Sequence, residues 1–88
     1  MDNKEAMWDM LEEACDRIRP ILSDRFYIDD CGIGRNCLEF GIFEYNPMTL
    51  YDDKVATFHF YVNEADTKEE TIQRFNEEVD DYIRKWKK

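Results

Sequence analysis

A net charge of −9, from 21 acidic against 12 basic residues in an 88-residue chain, argues against direct binding to nucleic acid or anionic lipid, whose phosphates it would repel. The same charge suits a basic protein partner. A chain of this length makes one domain, residues 1–88, burying roughly 60% of its unfolded surface, so its thirteen aromatic residues must supply much of a thin core.

Taken in chain order, Asp2 and Glu5 have capping-box spacing, which predicts a helix from Asn3. Trp8, Leu11, Cys15, Ile18 and Leu22 follow the 3-4 rhythm of one apolar face, flanked by Met7 and Ala14. Pro20 lacks an N–H and should end the helix near Arg19. Arg25 to Cys31 reads as a first strand with Phe26 and Ile28 inward. Gly32 to Asn36 then forms a hairpin loop whose glycines suit positive φ. Its G-x-G lacks the third glycine and the βαβ setting of a nucleotide fingerprint.

Cys37 to Tyr45 alternates as a central strand. Leu38, Phe40 and Ile42 share the inner face, and Glu39, Gly41, Phe43 and Tyr45 the outer. Asn46-Pro47 opens a longer loop to Asp53. Met48, Leu50 and Tyr51 in that loop either tuck under the core or form a contact patch, and no sequence feature separates the two. Lys54 to Val62 is a third strand, with Ala56, Phe58, Phe60 and Val62 inward and Val55, Thr57, His59 and Tyr61 outward. Thr67 and Glu70 form a second capping box, and Ile72, Phe75, Val79, Tyr82 and Trp86 mark the apolar face of a final helix. The expected fold is α+β: helix, three-stranded antiparallel meander, helix (αβββα), with both helices on one sheet face.

No apolar run approaches a membrane span. Residues 1–20 are charged throughout and lack a signal-peptide apolar region. A cytoplasmic, reducing setting is expected, with Cys15, Cys31 and Cys37 as free thiols. Cys31 and Cys37 flank the hairpin loop and can sit opposite each other, but their C-x5-C spacing with the remote His59 is poor for zinc. His59 has Glu39 as a cross-strand neighbour, yet no nucleophile completes a site. The chain therefore reads as non-enzymatic, without metal or cofactor.

Two surfaces stand out. If nothing covers the outer sheet face, it presents Tyr27, Phe43, Tyr45, His59 and Tyr61 around Gly41. Open aromatic sheets can stack bases, but the acidity here favours a protein contact, including a homodimer through Tyr45 and Tyr61. The second surface is acidic. With strands one and three running one way and both helices the other, one end collects Asp29, Asp30, Glu64, Asp66, Glu69 and Glu70, with Asp2, Glu5 and Asp9 beside them. Helix-dipole preferences account for Glu5, Glu69 and Glu70 but not for Asp29, Asp30 and Glu64. Only Lys4, Arg35 and Lys68 offset these acids. The opposite end collects Arg17, Arg19, Arg25, Arg84, Lys85, Lys87 and Lys88, with Asp16, Asp24, Asp52 and Asp53 there too.

In plan and charge, though through no shared motif, the chain resembles small acidic phage-encoded inhibitors of the anti-CRISPR type, some of which imitate DNA. The resemblance implies that Asp29, Asp30, Glu64, Asp66, Glu69 and Glu70 occupy a groove meant for phosphates on a basic partner such as a nuclease effector. The site of action would then be the host cytoplasm. The basic Arg84 to Lys88 segment departs from a uniformly acidic mimic. Acidic immunity proteins that neutralise basic nuclease toxins share the charge logic. The double-stranded-RNA-binding domain shares the element order, but its basic helix start is missing here. The expected function is an acidic protein-binding inhibitor that blocks a basic, nucleic-acid-binding surface. The competing reading is a homodimeric structural or accessory module.

Overall fold

The computed structural model describes residues 4–49 and 51–87. The expected Asp2 cap, the Asn3 helix start and the placement of Leu50 lie outside the described residues. Helix α1 spans Lys4–Ile18 and tightens into a single 3-10 turn, Arg19–Ile21. Pro20 cannot donate to a continuing helix, and Leu22 leaves in an extended conformation, its N–H bonded to the Arg19 carbonyl at 3.2 Å. Strands β1 (Phe26–Ile33), β2 (Cys37–Glu44) and β3 (Asp53–Tyr61) form an antiparallel sheet in the order β1-β2-β3. Helix α2 covers Lys68–Trp86. The element order is the expected αβββα, of the α+β class. No described helix is long and apolar enough to cross a membrane.

The inner sheet face is the one the alternation implies: Leu38, Phe40, Ile42, Phe58 and Phe60 are buried, and Val62 follows them. Phe40 stacks on Phe58 at 5.2 Å, while Phe75 of α2 meets Phe60 edge-on at the same separation. The helices are parallel to each other. Ala6, Asp9 and Glu13 lie beside Lys68 and Ile72, and Arg17 reaches Asn76 and Asp80 near the other end. Both N-termini therefore share one end of the molecule, as the charge layout requires.

Both helices are turned relative to their predicted faces. In α1, Met7, Met10, Leu11, Ala14, Cys15 and Ile18 are buried, while Trp8 is 47% exposed. Met7 and Trp8 each stand at helical spacing from Leu11, and the contact with the sheet selects Met7. In α2 the stripe begins at Thr71, which is fully buried, and not at Ile72, which is exposed. Thr71 is tolerated inside because its hydroxyl donates to the Thr67 carbonyl at 2.9 Å. The expected capping box is present: Glu70 N–H donates to Thr67 Oγ1, and Thr67 N–H to Glu70 Oε1, both at 3.1 Å.

The main departure is a bulge in β1. Asp29 pairs with Gly41, but the next paired residue, Gly32, faces Glu39, so two residues of β1 oppose Phe40 alone. Asp30 takes the left-handed conformation, φ 59°, which no described glycine adopts. A short polar side chain tolerates that region better than most, and Asp29 Oδ1 accepts the Asp30 N–H at 2.7 Å. The bulge carries β1 on to Ile33 and shrinks the hairpin to Gly34–Asn36, closed by Gly34 N–H to the Cys37 carbonyl at 2.8 Å. Cys31 and Cys37 consequently do not face each other. Cys37 is paired across β3 with Tyr61, and Cys31 borders a hollow beside Cys15 of α1.

Candidate functional site

Both helices cover one face of the sheet, and among the described residues no helix covers the other. A second bulge shapes that outer face: Ile42 pairs with Ala56 but Phe43 with Lys54, leaving Val55 as the extra residue. Lys54 is thereby drawn over the sheet. A Cβ built on Gly41 would lie 2.8 Å from Lys54 Cε and 3.0 Å from Phe43 Cε1. The central glycine is therefore buried beneath the lysine stem and the aromatic ring. Lys54 Nζ pairs with Asp30 at 3.1 Å and sits 5.9 Å from the Phe43 ring centre.

The rest of the face is built from short-range pairs. Tyr27 stacks on Phe43 at 5.6 Å, and its hydroxyl donates to Asp52 Oδ2 at 2.5 Å. That bond to a carboxylate, aided by desolvation, pushes the Tyr27 phenol up to about 12. Register places Glu39 opposite His59, with Nδ1 and Oε2 3.1 Å apart, and His59 stacks on Tyr61 at 6.1 Å. Both members of the Glu39–His59 pair are solvent-exposed, so the contact is screened and worth little to stability. Tyr61 is 63% and Tyr45 61% exposed.

The loop after β2 holds its own backbone. Asp52 Oδ1 accepts the Asn46 N–H at 3.2 Å, Asn46 Oδ1 accepts the Met48 N–H at 3.0 Å, and Thr49 Oγ1 donates to the Tyr51 carbonyl at 2.6 Å. These bonds hold Met48 and Tyr51 out in solvent, 89% and 79% exposed. Those two residues therefore lie outside the core.

The six predicted acidic residues fall into two groups. Glu64 and Asp66 occupy the turn into α2, and Glu69 and Glu70 its first turn. Asp29 and Asp30 sit on the β1 bulge, in the row of Gly41 and Thr57. That row lies four residues, roughly 13 Å, short of the row where Tyr61 ends β3. Asp30 is already paired with Lys54. Asp66 is paired with Arg74 at 3.3 Å, and the capping hydrogen bonds from Thr67 hold the Glu70 carboxyl below its ordinary value.

The helix layer supplies acids that the predicted set left out. Asp9 and Glu13 line a groove with Lys68 and Ile72, floored by Ala6, Met10 and Phe75. Glu12 lies beside Trp8 around the helix. Asp9, Glu12, Glu13, Glu64 and Glu69 have no cation partner among the described residues. The parallel helices had already put Asp9 at this end, whereas Glu12 and Glu13 depend on the rotation of α1 against the sheet, which the apolar pattern did not fix. Local desolvation raises the carboxyl pKa of Glu78, exposed further along α2, against the opposing pull of Arg74. Among the described residues no three His, Cys, Asp or Glu side chains are grouped to hold a metal ion. Comparison with known proteins finds no matching family model, no matching curated protein and no matching solved structure.

Proposed function

We propose that this protein is a non-enzymatic inhibitor that binds and blocks a basic, nucleic-acid-binding surface on a partner protein, in the manner of a DNA-mimicking anti-CRISPR protein. The observation that supports this reading is the parallel helix pair. It sets Asp9 and Glu13, from the second and third turns of α1, along the groove beside the first turn of α2, where Glu69 lies with Glu64 in the turn before it. None of these four has a cation partner within ion-pair distance among the described residues. Uncompensated carboxylates add little to stability and repel one another. Against a basic partner the same charges steer encounter and raise the association rate. Ile72, exposed beside Asp9 and Glu13, adds apolar contact of the kind that anchors an interface core. The partner class is a basic nuclease effector or toxin acting in the cytoplasm.

The second reading, a homodimer through the outer sheet face, is favoured by the exposure of Tyr45 and Tyr61 on a side no helix covers. Capture from host lysate on immobilised protein, eluted in salt steps, tests the first reading. Basic proteins that elute as salt rises support it. Self-association alone, unmoved by salt, supports the second.

A further inference from the structure

We propose that Cys15 and Cys31 form a thiol–disulfide site, open in the reduced protein, that closes into an α1–β1 cross-link on contact with a low-molecular-weight disulfide. The two residues come from separate elements and meet in one place. The hollow beside α1 is lined by Trp8, Leu11, Glu12, Cys15, Asp16 and Arg19 from the helix and its end, and by Cys31 alone from the sheet. The β1 bulge is what brings Cys31 there: the extra residue and the left-handed Asp30 re-aim the following side chain. The two thiols border the same hollow, and each element contributes one of them. Cys31 is exposed and Cys15 only 6% so, which gives the pair one accessible sulfur and one sheltered sulfur. Cys37 is excluded as a partner. It stands beside Gly34, three residues along from Cys31. That offset is roughly 10 Å along a strand, beyond the ~7 Å between Cα atoms that a disulfide spans.

The chemistry needs an oxidant, and a small disulfide such as oxidised glutathione supplies it. The Cys31 thiolate attacks one sulfur of that disulfide, forming a mixed disulfide and releasing one small thiolate. Cys15 then gives its proton to solvent and attacks the Cys31 sulfur, expelling the second small thiolate. Two protein thiols are oxidised and one small disulfide is reduced to two thiols. Burial, together with the neighbouring Cys31, pushes the Cys15 thiol up to about 12. The second step is therefore slower than the first.

The test is incubation of the full chain with oxidised glutathione, an alkylation quench, peptide mapping and thermal melting. The expected product has lost two hydrogen atoms, carries a Cys15–Cys31 peptide pair and leaves Cys37 alkylated, after a transient adduct on Cys31. Closing the loop between residues 15 and 31 should raise Tm by roughly 10–20 °C. Cys37→Ser should behave identically, and Cys31→Ser should remain unlinked. A lasting glutathione adduct on Cys31, a Cys31–Cys37 or intermolecular bond, or three thiols that resist oxidation would overturn the proposal.

Discussion

Phe40→Ala and Trp8→Ala, compared side by side, probe which face of α1 meets the sheet and how much the central strand holds. Phe40 is fully buried at the middle of β2, its ring stacked 5.2 Å from Phe58. Removing it forfeits the transfer free energy of the ring and leaves a cavity between sheet and helices. Such truncations cost about 3–5 kcal/mol. A domain of this size has a total stability on the order of 4–13 kcal/mol, so Tm should fall by on the order of 20 °C. Trp8 is nearly half in water, and its truncation should cost less than about 1 kcal/mol. Urea and thermal melts followed by circular dichroism measure both. If Trp8→Ala destabilises as much as Phe40→Ala, α1 is rolled so that Trp8 lies inward, and the buried stripe through Met7, Leu11 and Ala14 is wrong.

Thr67→Ala should cost about 1 kcal/mol by removing the cap of α2. Because the folded Glu70 carboxyl lies below its usual 4.5, its contribution is present above that value and lost as pH falls through the lower folded value. Alanine keeps the backbone N–H bond to Glu70, the larger cause of the lowering. Urea melts at neutral and acid pH should therefore show most of that acid sensitivity retained and only the hydroxyl's share lost. Asp52→Asn should bring the ultraviolet titration of Tyr27 from about 12 back toward 10.0, and an unmoved titration would mean the hydroxyl–carboxylate bond is not made in solution. Gly41→Ala should destabilise by about 1–3 kcal/mol through overpacking against Lys54 and Phe43. Part of that cost should vanish in a Lys54→Ala background, and an equal cost in both backgrounds would show that the lysine stem does not lie over the glycine.

The sheet was legible because period-two alternation of large apolar residues leaves little freedom. Leu38, Phe40 and Ile42 can all be buried in only one register, and a one-residue slip would expose every one of them. The ends of the helices were legible for an equally local reason, through Pro20 and the Thr67–Glu70 box. Helix rotation was harder. Hydropathy draws Trp8 and Ile72 inward, yet the contact is set by which residues fit the sheet, and Met7 and a hydrogen-bonded Thr71 fit better. The two bulges carry no signature. Asp29-Asp30 reads as a strand end, but a left-handed aspartate there extends β1 by two residues beyond Cys31. That one residue keeps Asp29 and Asp30 on the sheet, apart from Glu64 and Glu69, and turns Cys31 toward Cys15. The acidic surface was thus readable as a charge total and an end of the molecule, while its membership depended on packing between elements distant in sequence.

The central claim is that the unpaired acids along the α1–α2 groove and at the start of α2 carry partner binding. Two variant sets test it most directly, one with Asp9, Glu13, Glu64 and Glu69 reversed to Lys and one with Tyr45 and Tyr61 changed to Ser, each assayed against wild type for lysate capture and self-association across a salt series. Asp66 and Glu70 are left alone because the Arg74 pair and the cap depend on them. The account predicts that the acidic set loses its basic partners while still folding, that wild-type capture weakens as salt rises, and that the tyrosine set binds normally. Normal capture by the acidic set, with loss of partner or of self-association in the tyrosine set, would contradict it.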